Sequence, residues 1–174
     1  MPNPDYMRAQ TDINEKMRTI LIDWLIDVHL KFKLMPETMY LTVNVIDRFL
    51  SAKHVARKKL QLVGVTSMLL ASKYEEIYAP EVKDFVYISD KAYTRAEILT
   101  QESLMLNTLG FDMQTCSPLF FLTRFLKCAD NAAVSDRQLA LYAHYCVELT
   151  LQQVTTDSPP PDVCRCCPSH DPCL

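Results

Sequence analysis

The stretch that decides the fold lies at residues 60–72 and reads LQLVGVTSMLLAS. It carries no charged side chain, and a helix that is apolar nearly all round is buried at the centre of a fold. Gly64 lies inside this stretch, although glycine costs about 1 kcal/mol relative to alanine within a helix. We therefore predict that a neighbouring helix approaches closely at Gly64.

The segments before this stretch predict two more helices. The first follows Asp12 and Glu15, whose three-residue spacing is that of a capping box, and it runs to about Lys33. Its apolar residues cover most of the helical circle, which predicts a second buried helix. Pro36 fits the first turn of the next helix, which runs to about Ala52.

The segments after residue 72 predict further helices and then a tail without regular structure. Pro80 precedes a short helix at about 81–88, and the capping box of Thr94 and Glu97 begins another that ends at Gly110. Two more helices are expected at about 118–128 and 135–153. Residues 154–174 hold five prolines and four cysteines without a helical period, so we expect this tail to be irregular or disordered.

Composition and missing motifs exclude several classes of protein. Hairpins and phosphate-binding loops need glycine, and only two glycines occur among 174 residues, so the expected fold class is all-α. A net charge of −3 gives no attraction to the phosphates of nucleic acid or membranes. Without a signal sequence or a membrane-spanning run, a soluble intracellular protein is expected. No G-x-G-x-x-G, P-loop, H-E-x-x-H or D-F-G motif occurs, so an enzyme active site is hard to build.

The cysteines of the tail raise the question of a metal site. Cys164, Cys166 and Cys167 lie close to His170 and Cys173. This cluster lacks the paired C-x₂-C spacing of ordinary structural zinc sites. We therefore expect no metal and no cofactor.

Three charged residues fall on helical faces that should be buried. Arg18 lies within an apolar arc of the first long helix, and an unpaired buried charge is very unfavourable, so we predict an ion pair with Asp47. Glu102 projects from the middle of an apolar face. It is either paired internally or placed to meet another protein, and Lys73 raises the same question.

An apolar stripe on the first long helix has two possible interpretations. Met17, Ile20, Leu21 and Trp24 have the i, i+3, i+4, i+7 spacing of a face that packs in a core. Because the opposite side of this helix is apolar too, one face could instead stay open as a recognition groove. The basic loop at 53–59 is interpreted as a solvated connector.

Several ordered motifs resemble the cyclin family, and its B-type members in particular. The resemblance covers about residues 6–152, and its motifs are MRTILIDWL at 17–25, FKLMPET at 32–38, IDRFL at 46–50, KLQLVG at 59–64 and LASKYEEI at 70–77. Five motifs in one order are far more specific than any one of them.

The resemblance implies an architecture. An irregular lead-in at 1–11 would precede an N-terminal cyclin box of five helices at 12–112. Residues 113–153 would form a partial second cyclin fold of about two helices, where the family has five, so apolar surface on these helices is expected to stay exposed. The long N-terminal region of the family, with its destruction signal and a helix outside the box, is not expected.

The resemblance also implies a function. The chain would be a non-catalytic subunit that binds and activates a cyclin-dependent protein kinase in the nucleus and cytoplasm and controls the G2/M transition. Lys73 and Glu102 would contact the kinase, next to Tyr74, Glu75 and Glu76. Arg-x-Leu segments of substrates and inhibitors would dock on Met17, Ile20, Leu21, Trp24, Asp27, Leu60 and Gln61, with Asp27 meeting the arginine. Arg18 and Asp47 match the internal ion pair of the family.

Two alternatives remain open at this point. A truncated cyclin-fold module could bind partners without activating a kinase. A cyclin-fold transcription factor would contact DNA, but it should carry a basic stripe, whereas this chain is acidic.

Overall fold

The computed structural model describes residues 5–131 and 137–152, and within these ranges the fold is all-α, without a strand. This confirms the predicted fold class. The helices run in the order α1 Tyr6–Ala9, α2 Glu15–Phe32, α3 Pro36–Ala52, α4 Leu60–Glu75, α5 Val82–Ile88, α6 Arg95–Leu109, α7 Pro118–Asn131 and α8 Arg137–Leu149, with short 3₁₀ turns at Arg57–Lys59 and Thr150–Gln152.

Helix α4 is the centre of the molecule. Every residue from Leu62 to Ser72 is buried, and the helix packs against α2, α3 and α6. A Cβ atom added at Gly64 would lie 2.8 Å from Cδ1 of Leu21 on α2. The predicted close approach at Gly64 is therefore confirmed, and α2 is the helix that makes it.

The helix ends follow local chemistry, with one correction. The capping box of Thr94 and Glu97 is present, and Gly110 ends α6 with a positive φ of 63°. The predicted box of Asp12 and Glu15 is wrong, because the side chain of Asn14 accepts the hydrogen bond from the Met17 N–H at 3.0 Å. The Asp12 carboxylate instead accepts from the backbone N–H of Arg57 at 2.8 Å.

The lead-in is more ordered than predicted. Residues 6–9 form α1, and Tyr6 and Met7 are buried in the core. The Gln10 amide donates to the carbonyls of Leu50 and Lys53 at 2.7 and 2.8 Å. The prediction of an irregular segment at 1–11 is thus wrong for the part that the structure describes, because this segment satisfies polar groups at the end of α3.

Helices α7 and α8 pack on each other and also contact the preceding helices. Leu119 is buried, and the turn at Thr150–Gln152 contacts α2. Much of their apolar surface is open: Phe120, Phe125, Leu141 and Tyr142 are between 63% and 68% exposed. The predicted tail at 154–174, with its cysteine cluster, lies outside the described residues.

None of the helices that the structure describes is long and apolar enough to cross a membrane.

Candidate interaction surfaces

The first candidate surface, called the α2 patch, comprises the predicted docking residues Met17, Ile20, Leu21, Trp24, Asp27, Leu60 and Gln61. Ile20 is 58% exposed, Asp27 is exposed, and Met17, Trp24 and Gln61 are half-buried. Leu21 and Leu60 are each only 6% exposed, so they form a floor rather than contact surface. Since Gln61 lies one turn before Gly64 on α4, the patch sits where α2 crosses the start of that helix.

The close contact at Gly64 shapes this patch. The Leu21 side chain packs directly over Gly64, so no side chain of α4 fills the space beside α2 there. Trp24 follows Leu21 on α2, and it packs against the core while keeping part of its ring accessible. The patch therefore combines a rigid floor with a partly open aromatic side chain, the arrangement expected of an anchor for a short apolar segment.

The second feature is the Arg18 cluster, formed by Arg18, Asp47, Tyr6 and the carbonyls of Leu151 and Gln152. Arg18 donates from Nε and Nη2 to the two carboxylate oxygens of Asp47, both at 2.7 Å. Its Nη1 donates to the carbonyls of Leu151 and Gln152 at 3.3 and 3.2 Å. The Tyr6 hydroxyl donates to Asp47 at 2.6 Å. The structure thus pairs Arg18 with Asp47 and adds partners that the sequence did not indicate.

Burial sets the electrostatics of the Arg18 cluster. The Arg18 side chain is 2% exposed and that of Asp47 is 17% exposed. Burial by itself would lower the pKa of Arg18, but the hydrogen bonds and charge of Asp47 raise it above its usual value, so the guanidinium stays charged. Burial, followed by the charge of Asp47, raises the pKa of Tyr6 well above that of a free tyrosine, which keeps its hydroxyl a donor.

The third feature, called the Lys73 surface, lies at the end of α4 and on the facing side of α6. Lys73 Nζ donates to the Glu102 carboxylate at 2.7 Å, with side-chain exposures of 46% and 13%. The Glu102 carboxylate is thus paired within the chain, which was one of the two alternatives that the sequence left open. Lys73 also lines a cavity of about 400 Å³ together with Pro80 and Arg95.

Large side chains next to Lys73 project into solvent. Tyr74 is 55% exposed, Ile77 is 89% exposed and Tyr78 is 92% exposed. Tyr74 was predicted as a contact residue, whereas Ile77 and Tyr78 were not. The sequence could have indicated both residues, because large apolar side chains in a short connector between two predicted helices are expected to be exposed.

The remaining two predicted residues of this surface differ in their surroundings. Glu75 is exposed and lines a second cavity with Glu37 and Phe120. Glu76 Oε1 accepts from the Met35 N–H at 2.7 Å and from the Thr38 hydroxyl at 2.6 Å. Glu76 therefore satisfies donors at the N-terminus of α3 and is engaged within the fold.

Residues 5–131 and 137–152 hold no group of three or more His, Cys, Asp or Glu side chains that could ligate an ion.

Residues 1–114 match the family described as the cyclin N-terminal domain. Cyclin-B2-1 of Oryza sativa subsp. japonica is 61% identical over 148 residues, which is 85% of this chain and 34% of that protein. Cyclin-B2-4 of Arabidopsis thaliana is 60% identical over 149 residues, again 85% of this chain and 34% of that protein. The chain therefore spans about a third of the length of these relatives.

A solved structure shares the fold. The X-ray structure of a viral cyclin from herpesvirus saimiri matches with a TM-score of 0.69 and 26% sequence identity, covering 84% of this chain and 64% of that one.

Proposed function

This chain belongs to the cyclin family, among its B-type, mitotic members, and from that premise we propose that it binds and activates a cyclin-dependent protein kinase. In this proposal the chain catalyses no reaction itself. It acts in the nucleus and cytoplasm, at the passage from G2 to mitosis. Activation would consist of holding a mobile helix of the kinase in the position that completes the kinase's own catalytic site.

The observation that carries the proposal is the Lys73 surface. Lys73 is held by Glu102 at 2.7 Å, yet its side chain remains 46% exposed. A cation that is fixed in place and still accessible has little entropy left to lose when it meets a polar group of a partner. Tyr74, Ile77 and Tyr78 surround it with exposed apolar area, as expected for the centre of a protein interface.

The α2 patch supports a second part of the proposal, the docking of Arg-x-Leu segments of substrates and inhibitors. The leucine of such a segment would lie on Ile20 and Trp24 above the floor of Leu21. The exposed Asp27 carboxylate would meet the arginine, since an exposed acid at the edge of an apolar patch selects for a basic neighbour.

Kinase binding is tested with Lys73→Ala and Glu102→Ala. Each variant should lower affinity for a cyclin-dependent kinase about tenfold or more, since each removes one side of a fixed charge pair at the interface. Binding is measured by pull-down and calorimetry, and activation by histone phosphorylation. Lys31→Ala on α2 is the matched control, because it removes an exposed lysine elsewhere. If both variants activate the kinase as well as the parent, the Lys73 surface is not the kinase contact.

Peptide docking is tested with Trp24→Ala. We expect the loss of this anchor to weaken an Arg-x-Leu peptide by about 2 kcal/mol or more while kinase binding persists. Leu30→Ala is the control, since Leu30 is 65% exposed on another side of the same helix. Unchanged peptide affinity in a folded Trp24→Ala protein rules out the α2 patch.

A second candidate function is a module that binds partners without activating a kinase. The exposed apolar side chains of α7 and α8, such as Phe120 and Phe125, favour this second function. An apolar surface of this kind is typical of a site where another protein binds, and α7 and α8 would become a rigid unit only when a partner covers it. The same assays separate the two functions, since this module would capture the kinase and leave histone phosphorylation at its basal rate.

A further inference from the structure

The basic loop between α3 and α4 borders a cleft that the proposed function does not use. The cleft has a volume of about 230 Å³, and its lining includes Lys53, His54 and Lys59. Its floor is apolar, with Phe49 and Val63 at 2% and 1% exposure. None of these residues belongs to the α2 patch or the Lys73 surface.

The basic residues of this cleft lack acidic partners in direct contact. Lys53, His54 and Lys59 form no ion pair with any described residue. Lys59 acts electrostatically on Glu97, whose carboxylate already accepts from the N–H and hydroxyl of Thr94, each at 2.8 Å. Three basic side chains therefore meet at one opening with their donors uncommitted.

A side-chain amide on the wall of the cleft adds a neutral donor to the basic residues. Gln101 on α6 lines the cleft and is 8% exposed, and its side chain has no hydrogen-bond partner among the described residues. Solvent reaches this amide, so a ligand with acceptor oxygens that enters the cleft can take the place of water there. Gln101 thus offers a donor from the inner wall, while the cations stand at the mouth.

Hydrogen bonds from Gln10 and Tyr93 fix the backbone of the basic loop at 53–59. The carboxamide oxygen of Gln10 accepts from the Val55 N–H at 3.1 Å, and its amino group donates to the Lys53 carbonyl at 2.8 Å. The Tyr93 hydroxyl donates to the Lys58 carbonyl at 3.2 Å on the other side of the loop. Fixing the backbone in this way reduces the entropy lost when the cations meet an anion.

We propose that the cleft of Lys53, His54, Lys59 and Gln101 binds a peptide segment that carries a phosphorylated serine or threonine beside an apolar residue. A phosphate dianion has the charge and the acceptor oxygens to engage several cations and the amide at once. Pockets for whole small-molecule ligands measure roughly 300 to 1,000 Å³, so the cleft suits one modified side chain rather than a nucleotide. Leu104, at the rim and 47% exposed, would contact the apolar neighbour.

The test uses the full chain and a short fluorescein-labelled peptide with one phosphothreonine flanked by leucines, measured by fluorescence anisotropy. The phosphopeptide should bind at least about tenfold more tightly than the unphosphorylated peptide, which corresponds to one charge-assisted contact or more. Lys53→Gln combined with Lys59→Gln should remove that difference, and Gln101→Leu should reduce it.

Lys58→Gln is the matched control, because Lys58 belongs to the same loop but does not line the cleft. It should change affinity less than about twofold, as for a surface charge outside the contact. Equal binding of the two peptides would overturn the proposal. A loss with Lys58→Gln as large as that of the double variant would do so too, and so would tighter binding of a single-stranded oligonucleotide. Since no kinase enters this assay, its result is independent of kinase activation.

Discussion

Replacing Arg18 with alanine should be among the most destabilising single changes in the chain. Arg18 is 2% exposed, and all of its partners lie in other elements: the Asp47 carboxylate on α3 and the carbonyls of Leu151 and Gln152. The variant leaves the Asp47 carboxylate, 17% exposed, with the Tyr6 hydroxyl as its remaining donor. It also leaves two backbone carbonyls without their donor.

The magnitude follows from these losses. Breaking a buried ion pair by removing one partner costs about 3 to 5 kcal/mol, and the lost packing of the side-chain stem adds to this. For a domain of this size, each kcal/mol lowers the melting temperature by about 2 to 4 °C. We therefore expect Arg18→Ala to melt at least about 6 °C below the parent.

The assay is urea unfolding monitored by circular dichroism, with a thermal scan alongside. Arg8→Ala is the matched control, because Arg8 forms an exposed pair with Asp5 at 3.1 Å and such pairs contribute about 1 kcal/mol or less. Tyr6→Phe should fall between the two, at about 1.5 to 3 kcal/mol, since it removes one hydrogen bond to a charged acceptor. A loss below about 1 kcal/mol for Arg18→Ala would refute the reasoning.

Two further predictions concern single groups in the core. The Tyr40 hydroxyl is buried without a partner in the described part of the chain, so Tyr40→Phe should leave stability unchanged or raise it by up to about 1 kcal/mol in urea unfolding at pH 7. Burial and then Glu148 raise the pKa of Tyr40 to about 12, so between about pH 10 and pH 12 this hydroxyl ionises in the unfolded chain but stays protonated in the folded one. Stability should therefore fall over that range, and Tyr40→Phe should flatten the decline. A decline of the same steepness in both proteins would contradict this assignment. Gly64→Ala should destabilise by about 1 kcal/mol, because the 2.8 Å contact with Leu21 outweighs the gain in helix propensity, and combining it with Leu21→Ala should be clearly less than additive. Strict additivity of the two changes would show that the contact is not what opposes a side chain at position 64.

Features that depend on local pattern could be predicted from the sequence. The central helix α4 follows from a run without charges, the close approach at Gly64 from a glycine that has no other local reason, and the end of α6 from Gly110. Arg18 could be paired with Asp47 because a buried charge requires a partner. In each case the residue type allows few structural environments, so its position in the sequence is enough to predict its role in the fold.

Features that depend on distant backbone groups could not be predicted. Asp12 has the spacing of a capping residue, but a backbone N–H 45 positions away engages its carboxylate. Glu76 accepts a hydrogen bond from the Met35 N–H at the start of α3, 41 positions away. Gln10 accepts one from the Val55 N–H in the loop after α3. Backbone donors and acceptors are the same at every residue, so nothing in the sequence marks which of them a side chain will meet.

The Arg18 cluster imposes an order of events on folding. The contact with Asp47 spans 29 residues, whereas the contact with the Gln152 carbonyl spans 134. Closing the longer loop costs about 1.4 kcal/mol more in chain entropy, by the logarithmic dependence on loop length. The Asp47 contact is therefore expected to close first. During synthesis on the ribosome, Nη1 of Arg18 has no carbonyl acceptor until residues 151 and 152 emerge, so the contact between this turn and α2 would form after the contact between α2 and α3.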